Sequence, residues 1–235
     1  MAYSVISIIC ARGGSKGLLR KNTKLLNNEP LITRVINHAK AADCIDTILV
    51  TTDDEEIANI ARSSGAEVPF IRPQELSGDL ATTEKTLQHA LLTYEEMKKV
   101  KYDICVFLTP TDIFRNLNWI KDSIELLKND NTLESVFVGN KTHKNYWELN
   151  ENNEWVRLKP WMKEYSSRQV RRFIVREDTG LACASRAHLW RQGKRIGDKV
   201  EILVNDDSFT NIDIHTLEDL LLAQAALDIR NPIKK

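Results

Sequence analysis

The chain has 235 residues, a length that one α/β domain with a sizeable core accounts for. Lysine plus arginine equals aspartate plus glutamate, 33 each, so the composition excludes the strong net charge of nucleic-acid and membrane binders. The four cysteines lie far apart and form no Cys-x-x-Cys pair, which argues against zinc and disulfides and favours a reducing cytoplasm.

Short apolar runs alternate with longer amphipathic stretches, and this alternation predicts a mostly parallel sheet flanked by helices. The first run is too short to span a membrane and has no basic residue before it, so we interpret it as a buried strand and not as a signal peptide. The predicted strands are Val5 to Cys10, Thr47 to Val50, Ile104 to Leu108, Ser135 to Val138, Ile202 to Val204 and Phe209 to Ile214.

Two helix starts carry capping signals. The run Asp53-Asp-Glu-Glu56 has an acid at the N-cap and a glutamate three residues later, so these acids are predicted to be caps rather than catalysts. Thr216 and Asp219 form a second capping pair. The helix that follows them has one apolar stripe, formed by Leu217, Leu220, Leu221 and Ala225.

Residues 141–180 interrupt the alternation of strands and helices, and we interpret them as a hairpin or arm inserted into a single domain that spans residues 1–235. An arm stapled by its tryptophans in a monomer and an arm that contacts a second copy both fit this pattern. The segment contains Trp147, Trp155, Trp161, the turn residues Asn150 to Asn153, and the basic residues Lys163, Arg168, Arg171, Arg172 and Arg176.

The segment Ala11 to Asn22 lies directly behind the first strand, and residues 1–28 contain no acid. Its glycines let backbone N–H groups approach phosphate oxygens, and its cations can neutralise charge from several directions. The spacing fits neither Gly-x-Gly-x-x-Gly nor a P-loop. The segment therefore predicts a polyphosphate site of another kind, the alternative being a surface loop with solvated charges. The cations are Arg12, Lys16, Arg20 and Lys21.

Ala11 to Gly17 followed by Lys21-Asn22 resembles the signature of the acylneuraminate cytidylyltransferase family, whose members make CMP-sugars. The resemblance implies a Rossmann-like nucleotidyltransferase fold and a homodimer formed through the arm. It assigns catalytic phosphate contacts to Arg12, Lys16 and Lys21. It also implies a backbone cradle and nucleotide contacts from Gly13, Gly14, Ser15 and Asn22.

A second segment, Arg72 to Thr83, resembles the family's Arg-Pro-x-x-Leu-x-x-Asp stretch, which reads cytosine. The resemblance assigns nucleotide contacts to Arg72, Thr82 and Thr83. A guanidinium and a hydroxyl suit the O2, N3 and N4 edge of cytosine. For each threonine, a helix N-cap is the alternative.

The sugar-binding segments resemble the family with departures. Leu108 to Arg115 matches Leu-Gln-Pro-Thr-Ser-Pro-Leu-Arg, except that Thr109 replaces a glutamine and Asp112-Ile113 replaces Ser-Pro. Val175 to Gly180 resembles Tyr-Arg-x-Asn-Gly with one inserted residue. Solvated arginines on an exposed arm are the alternative. The implied sugar contacts are Thr109, Arg115, Arg168, Gln169 and Arg176.

The segment Asn211 to Asp219 resembles the family's Ile-Asp-Ile-Asp-Thr-x-Glu-Asp-Leu, which implies that Asp213 binds Mg²⁺ or another hard divalent cation. His215 replaces the second aspartate. Two residues apart on a strand, both side chains would face the same side. An imidazole is a poor direct ligand of Mg²⁺, so His215 acts through water, contacts phosphate or simply packs.

Together the motifs imply transfer of CMP from CTP to the anomeric hydroxyl of a 2-keto sugar acid of the sialic acid or nonulosonate type, with release of pyrophosphate, in the cytoplasm. The implied partners are CTP, an acidic sugar and a second copy, with no nucleic acid and no membrane. The alternatives are an octulosonate-type sugar, another nucleoside triphosphate, or a non-catalytic nucleotide-binding homologue. The departures at Thr109 and His215 favour a changed acceptor over loss of the nucleotide site.

Overall fold

The computed structural model describes residues 3–167 and 169–230. The strands are β1 (Val5–Cys10), β2 (Leu25–Leu26), β3 (Glu29–Pro30), β4 (Thr47–Thr51), β5 (Ile104–Leu108), β6 (Ser135–Thr142), β7 (Trp147–Leu149), β8 (Trp155–Arg157), β9 (Ile174–Glu177), β10 (Cys183–Arg186) and β11 (Val200–Asn205). The α-helices are α1 (Leu31–Ala41), α2 (Glu55–Ser63), α3 (Thr83–Lys98), α4 (Leu117–Asn129), α5 (Ala187–Arg191) and α6 (Leu217–Arg230).

A seven-stranded sheet with the order β11-β6-β10-β5-β1-β4 forms the centre of the fold, and β9 pairs with the far end of β6. β4, β1 and β5 are parallel, whereas β10 and β9 run antiparallel to their neighbours. The predicted α/β architecture is confirmed. The carboxyl ends of β4, β1 and β5 meet at one edge of the sheet, where ligands of such sheets bind.

Both faces of the sheet are covered by helices, which explains why the central strands are apolar without interruption. In β1, Ile6 and Ile8 pack on the face with α3 and α5, whereas Val5 and Ile9 pack on the face with α1, α2 and α4. The predicted bounds of β1 and β5 match the structure because both strands are buried on both faces.

The strand predicted over Phe209 to Ile214 is wrong, because residues 208–211 form a 3₁₀ turn. Asp207 accepts a hydrogen bond from the Phe209 N–H at 3.0 Å, and the Thr210 hydroxyl donates to the Asp207 carbonyl at 2.6 Å. Such local bonds compete with the sheet ladder. The Phe209 ring packs on Phe114, with centroids 5.4 Å apart. The apolar residues of the 209–214 segment are therefore explained by packing against the core and not by a strand.

The helix α6 begins where its capping pair predicts, since Thr216 accepts a bond from the Asp219 N–H and Asp219 accepts one from the Thr216 N–H. Its predicted apolar stripe is wrong, because Leu217 and Leu221 are 53% and 62% exposed and Ala225 is exposed as well. The buried face is formed instead by Ala223, Ala226 and Leu227, which pack with Leu26 and Phe114 among others.

The cap of α2 lies one residue later than predicted. Asp54, not Asp53, occupies the N-cap, and its carboxylate accepts a bond from the Ile57 N–H at 3.0 Å. Glu56 pairs with Arg20 rather than closing a capping box. The carboxylate of Asp53 is therefore available for another contact.

Within the predicted insertion, β7 and β8 form an antiparallel hairpin. The Arg157 guanidinium lies over the Trp147 ring, 4.2 Å from its centroid. Trp147 and Trp155 are 48% and 66% exposed. The hairpin thus presents aromatic side chains to solvent rather than burying them in the domain.

Over residues 3–167 and 169–230, the helices lack the combination of length and apolar character that crossing a bilayer requires.

Candidate functional site

A cleft lies beyond the carboxyl end of β1 and consists of two adjoining cavities of about 300 and 280 Å³, which share Cys10 and Arg12 in their walls. Arg72 and Thr83 line the first cavity. Residues of the 15–22 loop, Thr109 and His215 line the second cavity. Four of the segments singled out in the sequence therefore meet at one cleft.

Close packing shapes the loop of residues 11–22. The Gly13 N–H donates to the Asp53 carboxylate at 2.9 Å, and a Cβ on Gly13 would lie 2.7 Å from an oxygen of Asp54. A Cβ on Gly17 would lie 2.5 Å from the carbonyl oxygen of His215. These two glycines let the loop approach α2 on one side and the 213–215 segment on the other.

Three predicted phosphate ligands, Arg12, Lys16 and Lys21, line the cleft, whereas Arg20 turns away to pair with Asp54 and Glu56. Asp79 lies between two of the cleft cations, 3.3 Å from Arg12 Nη1 and 2.5 Å from Lys16 Nζ. A polyanion would have to displace or share these exposed contacts, which are individually weak.

Lys21 and Asn22 are more enclosed than Lys16. Burial lowers the pKa of Lys21 below its usual value, and the Asp213 carboxylate opposes this shift. Asn22 is buried and donates its side-chain amide to the Arg12 carbonyl at 2.9 Å. Asn22 therefore braces the loop as well as lining the cleft.

Arg72 is almost completely buried, with 4% of its side chain exposed. Its Nε donates to the Ser77 hydroxyl at 3.1 Å, and its Nη2 lies 3.6 Å from the Asp53 carboxylate. Thr82 is the N-cap of α3 and accepts a bond from the Lys85 N–H at 3.2 Å. A helix N-cap was the alternative to a nucleotide contact for this residue. Of the two threonines, Thr83 is the one in the cavity wall.

The Thr109 hydroxyl donates to the Asp112 carboxylate, and both side chains pack on Gly180. A Cβ on Gly180 would lie 2.5 Å from the Thr109 hydroxyl, so the glycine makes room for this pair. Burial raises the pKa of Asp112 from 3.8 to about 6, with a further contribution from the negative charge of Asp213.

Arg115 does not fit its expected role as a sugar contact, because its side chain is buried among backbone carbonyls. Its Nη2 donates to the carbonyls of Thr109 at 2.9 Å and Gly180 at 2.6 Å, and its Nε donates to that of Leu181. Arg115 therefore fixes the loop after β5 against the segment before β10. The motif match was correct, but the role assigned to this residue is corrected.

Asp213 and His215 are brought together without a strand, since His215 Nε2 and Asp213 Oδ2 are 2.8 Å apart. The other oxygen, Oδ1, is buried and has no hydrogen-bond partner among the described residues. An orphaned carboxylate oxygen near the cations of the cleft fits a hard divalent cation. In this arrangement His215 orients the carboxylate, which is the role of a second-layer partner.

A larger cavity of about 800 Å³ adjoins β6 and β9. The described residues in its wall include no Asp or Glu, and the cations among them are Lys141, Lys144, Arg171 and Arg176. Arg176 pairs through two bonds with Asp178, at 2.7 and 3.0 Å, and with Asn211 at 3.2 Å. Gln169 is exposed and outside this wall, and Arg168 lies outside the described residues.

Sequence reasoning did not predict the contacts of Asp53 and Asp79. The sequence pattern predicts Asp53 as a cap because it begins an acidic run before a helix. Asp79 is the aspartate of the Arg-Pro-x-x-Leu-x-x-Asp segment, which was a signal, but its partner cations lie more than 60 residues away. Only the fold brings such residues together.

A family model described as cytidylyltransferase matches residues 6–229. A pseudaminic acid cytidylyltransferase of Campylobacter jejuni is 30% identical over 93% of this chain and 94% of its own length. A CMP-N,N'-diacetyllegionaminic acid synthase of Legionella pneumophila is 36% identical over 53% of each chain. An N-acylneuraminate cytidylyltransferase of Escherichia coli is 26% identical over 95% of this chain and 52% of its own length. The chain thus spans about half the length of the last two relatives.

Among solved structures, a CMP:2-keto-3-deoxy-manno-octonic acid synthetase complexed with CTP covers 97% of this chain and 99% of its own, with a TM-score of 0.67 and 14% identity. A 4-diphosphocytidyl-2C-methyl-D-erythritol synthase covers 97% of this chain and 100% of its own, with a TM-score of 0.64 and 12% identity. The implied Rossmann-like nucleotidyltransferase fold is confirmed.

We predict that Arg115→Met lowers the free energy of unfolding by about 3 to 5 kcal/mol, because the Thr109 and Leu181 carbonyls lose the guanidinium as donor and the Gly180 carbonyl is left with its bond from the Thr109 backbone. Arg115→Lys should recover little, since an ammonium cannot reproduce the planar fork. Urea denaturation measures both variants. Unchanged stability together with lost binding of an acidic sugar would restore Arg115 to the role of a sugar contact.

We predict a pH-dependent gain of stability for Asp112→Asn. Because the folded state raises the pKa of Asp112 from 3.8 to about 6, the wild type loses stability as pH rises through this window, whereas asparagine does not titrate. The free energy of unfolding of Asp112→Asn, minus that of the wild type, should rise by at most about 3 kcal/mol between pH 4 and 7. Urea titrations in metal-free buffer measure it, with exposed Asp122→Asn as the control. Parallel pH curves for wild type and Asp112→Asn would contradict the assignment.

Proposed function

The chain belongs to the cytidylyltransferase family, and on that premise we propose that it transfers CMP from CTP to the anomeric hydroxyl of a 2-keto sugar acid of the nonulosonate type, releasing pyrophosphate. The observation that carries the proposal is the convergence of Arg12, Lys16 and Lys21 at one cleft beside the orphaned oxygen of Asp213.

The cleft suits a nucleoside triphosphate. Its cations can pair with phosphate oxygens, and the Gly14 N–H can donate to the same oxygens. The Gly13 and Ser15 N–H groups already donate to Asp53 and to the Gly13 carbonyl. Arg72 in the first cavity supplies a buried, oriented guanidinium for the cytosine edge, and Thr83 supplies a hydroxyl in the same wall. Base and phosphates would then occupy the two adjoining cavities.

The larger cavity suits the acidic sugar. Its cationic wall attracts a carboxylate, and the Gly180 segment connects it to the Thr109 and Asp112 pair near the second cavity. The printed names of relatives include synthases for legionaminic and pseudaminic acids, which supports an acceptor of this class. Thr109 and Asp112 stand where the resemblance has other residues, so we expect them to influence which acid is accepted.

The chemistry is a single displacement governed by positioning and charge. The anomeric oxygen forms a bond to the α-phosphorus, the bond from that phosphorus to the bridging oxygen of the β-phosphate breaks, and the hydroxyl proton is released. Arg12, Lys16 and Lys21 stabilise charge on the pyrophosphate that leaves. A hard divalent cation held by Asp213 would supply further charge neutralisation at the phosphates.

The same proposal includes a homodimer that works in the cytoplasm. Trp147, Leu149 and Trp155 of the hairpin are each about half exposed or more, and water-exposed aromatic area of this kind is typical of an interface. A second copy would bury it. All four cysteines are free, which agrees with a reducing compartment.

Pyrophosphate release measured with Mg²⁺, CTP and a panel of 2-keto sugar acids tests the function. The panel contains N-acetylneuraminate, legionaminate-type and pseudaminate-type acids and 3-deoxy-octulosonate. We expect release with a nonulosonate and CTP, and little with UTP. Release with the octulosonate alone would change the acceptor, and binding of CTP without release from any acid would favour a non-catalytic homologue.

We predict that Lys21→Ala and Asp213→Asn each lower kcat by about 10²- to 10³-fold, because each removes charge that acts on the transferring phosphate. Exposed Lys24→Ala, three residues from Lys21, is the matched control and should keep wild-type turnover. Asp213→Asn should also weaken Mn²⁺ binding followed by electron paramagnetic resonance. Near wild-type turnover in both variants would contradict these roles.

A further inference from the structure

One carboxylate, that of Asp53, touches both halves of the cleft. It accepts the Gly13 N–H at 2.9 Å, near the start of the loop of residues 11–22, the proposed phosphate loop. It also lies 3.6 Å from the Arg72 guanidinium in the first cavity. Both distances involve the same oxygen, Oδ1. Its side chain is 26% exposed, so the contacts are partly screened from water.

The surrounding backbone holds Asp53 at this junction. The Ala11 N–H donates to the Thr51 carbonyl at 3.1 Å, and the Arg72 N–H donates to the Thr52 carbonyl at 2.7 Å. The two residues before Asp53 thus anchor the phosphate loop on one side and the Arg72 segment on the other. Because Asp54 caps α2, the Asp53 carboxylate is not needed to begin the helix.

Arg72 depends on this carboxylate for its charge balance. With 4% of its side chain exposed, its guanidinium has limited access to water, and the hydroxyl of Ser77 is a neutral partner. A buried guanidinium without a counter-charge is costly and loses its fixed orientation. Asp53 therefore supplies the charge that holds the guanidinium on its side of the cavity, while the Ser77 hydroxyl supplies a hydrogen bond.

We propose that Asp53 is a positioning residue that couples base recognition to phosphate placement, because one carboxylate orients both Arg72 and the Gly13 amide. This inference rests on the proposed function and adds to it a named residue for nucleotide discrimination. Asp53 does not contact the nucleotide in this account. It acts through Arg72, which lines the first cavity, and through the backbone of the loop around Gly13, whose own N–H is taken by the carboxylate.

Two variants separate the contacts. Asp53→Asn keeps an oxygen that can accept the Gly13 N–H but removes the charge beside Arg72, whereas Asp53→Ala removes both. The probes are CTP, UTP and inorganic tripolyphosphate, each titrated calorimetrically. Asp46→Asn is the matched control, since Asp46 accepts the Val5 N–H at 2.7 Å at the opposite end of β1.

In Asp53→Asn we expect the preference for CTP over UTP to fall about tenfold, while tripolyphosphate affinity stays within about twofold of wild type. In Asp53→Ala we expect the preference to fall similarly and tripolyphosphate affinity to fall about tenfold as well. In an Arg72→Gln background, Asp53→Asn should no longer change the preference, which is the signature of a coupled pair. Asp46→Asn should leave all three affinities unchanged.

A role confined to stability would give a different pattern. If both Asp53 variants melted earlier but kept the CTP preference and tripolyphosphate affinity of wild type, the proposal would be overturned. An unchanged effect of Asp53→Asn in the Arg72→Gln background would also overturn it. A wild type that binds CTP and UTP equally would overturn the proposed cytosine recognition itself. In that case the tripolyphosphate titrations would still decide whether Asp53 holds the phosphate loop in its binding conformation.

Discussion

The parallel pairing of β1 with β4 and β5 is the constraint on which the candidate site depends. Cys10 is in register with Thr51, and Ile9 is in register with Leu108, so three loops leave the sheet at nearly the same level. The loop of residues 11–22, the 52–54 turn and the Thr109 segment begin there side by side. Groups separated by about 40 and 100 residues in the chain become neighbours because the hydrophobic core fixes this register.

Carboxylates organise a cleft whose proposed ligand is an anion. Asp53 holds a backbone N–H near a guanidinium, Asp79 holds two cations, and Asp213 lies beside a histidine with one oxygen left over. Asp53 and Asp79 hold donors that the proposed triphosphate would use, and Asp213 offers an oxygen to the proposed cation, all in a chain whose net charge is zero. Electrostatic preorganisation of this kind is effective because little reorganisation remains when the ligand binds.

The sequence predicted what periodicity and composition specify directly. The bounds of β1 and β5 were predictable because strands buried on both faces are continuous apolar runs. The loop of residues 11–22 was recognisable as part of a cleft because it concentrates glycine and cations. Three features were not predictable, because each depends on a tertiary contact or a local hydrogen bond. They are the cap at Asp54, the 3₁₀ turn at residues 208–211 and the solvent-facing side of α6. Arg115 shows that the same holds for a residue that matches a motif. A sequence match identifies the arginine but does not reveal that its side chain is buried among backbone carbonyls.

Hydrogen exchange of the backbone amides, with and without saturating CTP, tests most directly whether these loops form one nucleotide site. The account predicts slower exchange in residues 11–22 and in residues 72–83 together, with weaker protection when UTP replaces CTP. Saturation by CTP that slowed exchange only around the larger cavity, in residues 140–146 and 171–176, would contradict the account.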